Sequence, residues 1–218
     1  MFFFEKKNQK TFTTAMRGAA TPCFSRRTPQ VVKVFCFFFS KKKSYPFLLL
    51  LAAAGPRYTP AGELIPPADY REWVFLGSGL DMSYTASPAM AGMSMFDNVF
   101  AEPSAWQAFK HNGHWPDQTM LVMEVRGADS HGSINKHGQF QADQMGAEIH
   151  VRDQARFKGG WGFFFLDGAG PAKLIDYGAG CYACHQKNAA VDTTFVQFYP
   201  TAKSIAMSLG TYPKLPEP

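Results

Sequence analysis

Cys181-Tyr182-Ala183-Cys184-His185 reads C-x-x-C-H, the pattern of covalent c-type haem attachment. Two thiols one helical turn apart can each add to a haem vinyl group. The histidine that follows then lies beneath the iron, and an axial histidine is a common way for a protein to hold it. The motif therefore predicts a helix at Cys181–His185, one haem c per chain, thioether links at Cys181 and Cys184, and an iron ligand at His185. Two other readings exist. A thioredoxin-like pair normally sits beside a βαβ pattern, and none precedes it here. Half a zinc site would need further Cys or His ligands. His111, His114, His131, His137 and His150 are scattered, and only His111 and His114 are close together. Those two are expected at the surface.

The chain has 218 residues and a formal net charge of +5, but that charge belongs to one end. Residues 1–54 hold ten Lys and Arg against a single acid, Glu5. The remainder holds twelve against sixteen Asp and Glu. A basic nucleic-acid-binding surface is therefore not expected on residues 55–218. Lys41-Lys42-Lys43, the apolar run Phe47–Leu51 and Ala52-Ala53-Ala54 have the layout of a secretory signal peptide cleaved near Ala54. The apolar run is too short for a membrane span of ~20 residues; the alternative is an uncleaved interfacial anchor. Residues 1–40, with Phe2-Phe3-Phe4 and Phe37-Phe38-Phe39, read as a long or misassigned leader, translation starting at Met16 or later. Cys23 and Cys36 go with it. The mature chain then keeps two cysteines, both in the motif, which suits an exported, periplasmic haem protein and not a disulfide scaffold.

Residues 55–218 make one domain with room for a core. Gly55–Pro67 is proline-rich and expected to run extended over the surface. Short strands are predicted at Trp73–Leu76 and Phe96–Phe100, with a loop over 80–94. Pro103–Asn112 reads as a helix opened by Pro103 and stopped by Gly113. Thr119–Arg126 reads as a strand with Leu121, Met123 and Val125 on one face. A polar excursion follows over 127–144. Ala147, Ile149 and Val151 alternate with Glu148, His150 and Arg152, a half-buried strand. On that reading Glu148 and His150 are solvated. Gly160–Leu166 puts Trp161, Phe163 and Phe165 on one face. A loop, Asp167–Gly180, leads to the motif helix, expected to reach Ala190, and a terminal helix spans Thr201–Leu209. Strands first and the haem motif last predict an α+β fold, mainly antiparallel β-sheet with flanking helices and a C-terminal haem-attachment helix. The haem is expected between that helix and one apolar face of the sheet.

These stretches resemble the cytochrome P-460 family, which includes the cytochromes c′-beta. The likeness rests on Tyr70–Gly77, Phe96–Val99 leading to Pro103, Trp115-Pro116-Asp117, Gly160–Phe163, and Cys181–His185 continuing through Phe195–Pro200. The resemblance implies an antiparallel sheet around one c-type haem, usually in a homodimer, with five-coordinate iron. Some members oxidise hydroxylamine or nitric oxide; others only bind small gases. The oxidising members cross-link a Lys to the haem from the strand matching Thr119–Arg126. That strand has no Lys here, and Met123 takes the place; Lys110 and Lys136 lie outside it. Met123 has three readings: core, wall of the distal pocket, or sixth iron ligand as in electron-transfer cytochromes. Trp161 and Phe163 are core residues that overlap with a haem-packing role. Arg126, on the other face, pairs with a haem propionate or with nothing. The expected function is binding of nitric oxide or a similar small gaseous or nitrogenous ligand, with redox turnover in reach. The alternatives are a hydroxylamine or nitric oxide oxidase, and a six-coordinate electron carrier served by a redox partner protein.

Overall fold

The computed structural model describes residues 55–82 and 93–213. The leader expected over 1–54, with Cys23 and Cys36, and most of the 80–94 loop lie outside the described residues. The fold is α+β. Six strands form an antiparallel meander in chain order: β3 (Val74–Leu80), β4 (Met95–Ala101), β5 (Met120–Asp129), β6 (Phe140–Arg152), β7 (Trp161–Leu166) and β8 (Lys173–Leu174). A second, two-stranded sheet pairs β1 (Arg57–Tyr58) with β2 (Leu64–Ile65). Among the described residues there are three α-helices: α1 (Pro103–Asn112), α2 (Gly180–Asn188) and α3 (Pro200–Ser208). Among the described residues no helix is long and apolar enough to cross a membrane.

Local chemistry sets the ends of α1. Pro103 occupies its first turn, and the Glu102 side chain accepts the Ala105 N–H at 2.9 Å, satisfying one of the donors a helix start leaves open. Gly113 closes it at φ 74°, a left-handed conformation that glycine adopts without steric cost. Thr211 fills the space that a Cβ at Gly113 would need.

Both faces of the large sheet are covered. On one face Leu76, Val99, Leu121, Trp161 and Phe163 pack against Trp106 and Phe109 of α1, Trp115, and Val191, Val196, Ala202 and Ala206 from the C-terminal segment. On the other, Met120, Val122, Ile149, Val151 and Phe164 meet Leu64, Tyr70, Trp73 and Phe157. Glu124 is buried on this second face. It accepts the Tyr70 hydroxyl, Arg71 Nε at 2.7 Å and Arg126 Nη1 at 2.8 Å.

Several expectations need correction. Gly55–Pro67 is not merely extended: it folds into the β1–β2 hairpin, and Leu64, fully buried, hydrogen-bonds both ways with Ala172. The polar excursion over 127–144 is largely hairpin. Its strands pair through Arg126↔Gln144, Ala128↔Gln141 and Asp129↔Phe140. Backbone pairing needs no apolar face, so solvated side chains concealed it. The loop Asp167–Gly180 contains β8. Arg126 is on the face away from Met123, but its partners are Glu124 and the Ala142 carbonyl.

Candidate functional site

The site lies between α2, the C-terminal segment and one face of the sheet. Cys181, Cys184 and His185 of α2 line a cavity of about 290 Å³. The sheet contributes Gly77 and Gly79 of β3, Asp97 and Val99 of β4, Leu121 and Met123 of β5, and Glu148 and His150 of β6 to the same lining. Thr194, Phe195, Phe198 and Tyr199 close the remaining side. Gly77 lets the C-terminal segment cross close to β3, since a Cβ there would come within 3.2 Å of the Phe198 carbonyl.

The sequence-predicted residues separate into two groups. Cys181, Cys184, His185 and Met123 share the cavity wall. Phe163 lies behind that wall, stacking on His150 at 4.2 Å and on Tyr182 at 4.4 Å and touching the His185 ring at 4.7 Å. Trp161 does not line the cavity; it is core, with the Arg152 guanidinium over its ring. His111 and His114 are exposed. Glu148 and His150 are the main correction. They are not on a solvated face but on the cavity side, the His150 side chain 12% exposed. Both sheet faces are covered, so polar alternation on β6 marks the cavity and not the solvent.

Tyr182, one of the two spacer residues of the motif, also serves a purpose that its type alone did not indicate. Its hydroxyl accepts the Phe163 N–H at 3.0 Å and donates to the Ile175 carbonyl at 3.2 Å. This fixes α2 against β7 and sets the two cysteines over the sheet.

His185 is prepared as a ligand. Its Nδ1 lies 2.8 Å from the Thr193 carbonyl. A carbonyl only accepts, so Nδ1 carries the proton and Nε2 keeps its lone pair for a metal. Burial, with His150 adding, pushes the ring's pKa down to about 4, so it is neutral near pH 7. The His150 ring is 4.9 Å away, and its buried Nε2 lies 3.7 Å from Glu148 Oε2, longer than a hydrogen bond. Phe163 touches both imidazoles, so His150 is a direct neighbour of His185. Beside it, Glu148 is held below the usual carboxylate range by His150, against its burial. Asp97 goes the other way: burial, with Glu148 and Asp81 adding, pushes it up to about 6.

The family model for cytochrome P460 matches residues 67–196, more than half of the chain. The chain belongs to the cytochrome P460 family. A comparison with curated proteins finds no match. Membership of the cytochrome P460 family makes this a haem-binding protein of the c-type cytochrome class. The donor set fits that group. Neither thiol is in a disulfide, and His185 lines the same cavity as both. Among the described residues no group of three or more His, Cys, Asp or Glu is placed to hold a metal ion, so the zinc reading finds no further ligands there.

Proposed function

We propose that this cytochrome P460 family member carries one haem c per chain and binds nitric oxide or a similar small neutral ligand at an open iron face. Cys181 and Cys184 would hold the haem by thioether links, and His185 would take the iron through Nε2. When bound, the haem supplies an iron site for a diatomic ligand and one-electron redox capacity. The chain's own residues do the rest. Thr193 fixes the imidazole tautomer. Val99, Leu121 and Met123 make an apolar wall that disfavours water and charged ligands. The observation that carries the reading is a neutral, singly hydrogen-bonded His185 sharing one mostly apolar cavity with both thiols, on a strand that offers Met123 and no lysine.

The oxidase reading has one observation in its favour. Asp97, titrating at about 6 inside the cavity, is suited to accept protons that hydroxylamine oxidation releases. The missing lysine weighs against it, and nitric oxide binding is preferred. We further infer that the protein is exported to the periplasm with cleavage near Ala54, works as a homodimer and exchanges electrons with a partner protein. N-terminal sequencing near Gly55 and the mass in solution check the first two.

The test is the visible spectrum of the reduced protein with and without nitric oxide, beside a hydroxylamine turnover assay. The expected result is a high-spin ferrous spectrum that changes on adding nitric oxide, with weak turnover. A low-spin spectrum indifferent to nitric oxide would make the protein an electron carrier. Brisk turnover would make it an oxidase.

A further inference from the structure

The turn that carries the Thr193 carbonyl is an unusual piece of backbone. Asp192 and Thr193 both have positive φ, 47° and 57°. Two consecutive left-handed residues other than glycine are costly, and persist where surrounding contacts over-determine them. Val191 and Thr194 close the turn as an antiparallel bridge, with Thr194 N–H donating to the Val191 carbonyl at 2.8 Å.

The contacts that hold it come from across the fold. The Asp192 carboxylate accepts the Trp115 N–H at 2.8 Å, lies 3.1 Å from His114 Nδ1, and pairs with Arg152 Nη1 at 3.2 Å. Thr194 Oγ1 accepts the Trp115 indole N–H at 2.9 Å. Trp115 itself is 1% exposed and stacked on Phe109 at 4.3 Å.

We propose that Asp192 is a positioning residue for the proximal ligand: it anchors the left-handed turn to Trp115 and so holds the Thr193 carbonyl on His185 Nδ1. The inference rests on His185 being the iron ligand. A fixed acceptor on Nδ1 raises the basicity of the imidazole and strengthens its bond to the metal, and loss of such outer partners typically costs about 10–100-fold in metal affinity or activity. The stronger donor favours ferric over ferrous iron. Losing tenfold of that preference raises the reduction potential by about 59 mV for one electron.

The experiment uses the haem-loaded full chain. Asp192→Gly accepts the left-handed backbone but deletes all three side-chain contacts. Asp192→Asn keeps an oxygen for the Trp115 N–H. Each variant is checked for covalent haem, then read by the iron–histidine stretch in resonance Raman and by potentiometry. The expected result is a broadened, lower-frequency stretch and a raised potential in Asp192→Gly, with Asp192→Asn close to the parent. Thr194→Val removes the indole anchor of the same turn and gives the same sign of change if Asp192→Gly does not accumulate. Unchanged stretch and potential in variants that retain haem overturn the proposal. Equal changes in Asp192→Asn and Asp192→Gly overturn it too, because they assign the effect to charge and not to position. A parent protein without covalent haem fails at the earlier step and overturns both readings.

Discussion

Glu124 offers a test of how the two sheet faces divide their work. It lies on the face away from the cavity, its side chain 4% exposed, with Arg126 27% and Arg71 55% exposed. Glu124→Gln keeps the size and one acceptor oxygen but sets an NH₂ group against a donor and leaves two guanidinium groups without a counter-charge. A hydrogen bond to a charged group contributes about 1.5–3 kcal/mol. Solvent compensates most of the loss at half-exposed Arg71, and much less at Arg126, so the expected cost is about 2–3 kcal/mol. For a domain of this size roughly 2–4 °C accompanies each kcal/mol, so Tm should fall by about 4–12 °C. The pH dependence has a definite sign. Burial raises the Glu124 pKa, but hydrogen bonds from Arg126, Tyr70 and Arg71 outweigh it and hold it below the ordinary 4.5. Its stabilisation is therefore complete above that value and is lost as pH falls through the lower folded one. The gap between parent and variant should narrow in acid. Thermal unfolding followed by circular dichroism from pH 3 to pH 8, with the Soret band recorded alongside, measures all of this. An undiminished gap at pH 3, an unchanged Tm, or a shifted Soret band at neutral pH would refute the reasoning.

Three further outcomes are expected. Met123→Lys should alter the haem spectrum, because Met123 lines the cavity and pairs with Glu148 across the strands, whereas Met120→Lys should lower Tm and leave the spectrum alone, since neighbouring strand residues point to opposite faces. Asp97, raised from 3.8 to about 6, favours the folded state below its unfolded value and loses that contribution as pH rises through about 6; Asp97→Asn should flatten this part of the stability–pH curve in a thermal-melt series. Gly162→Ala would bring a Cβ to 2.8 Å from the buried Phe157 ring and should cost about 1–3 kcal/mol in a denaturant titration, without change at the haem.

The legible parts of this chain were those where residue type and spacing carry their own chemistry. The spacing of Cys181, Cys184 and His185 pointed to a haem, and the family match supports haem binding. Pro103 and Gly113 bracket α1, and alternation on β5 puts Leu121 and Met123 on one face, where they meet in the cavity. The α+β order follows from strands preceding the motif. What was not legible depends on partners remote in sequence. Glu148 and His150 look solvated because alternation on β6 is symmetric: it says which residues share a face, not what covers that face. Asp97 shows no signal until Glu148 is brought near it. Asp192 and Thr193 are ordinary residue types, and the turn they form in left-handed backbone is hydrogen-bonded to Trp115, about eighty positions earlier. The β5–β6 hairpin over 127–144 was hidden because its side chains stay in water while its backbone pairs.

Whether Cys181 and Cys184 bind haem covalently, with His185 on its iron, is decided most directly by one measurement. The protein is produced with c-type maturation machinery, extracted with acid–acetone, and its intact mass compared with that of Cys181→Ala/Cys184→Ala. The expected result is a parent chain heavier by one haem that the solvent cannot remove, and a double variant at the mass of bare polypeptide. A parent chain at polypeptide mass, or haem equally retained by the double variant, would contradict it.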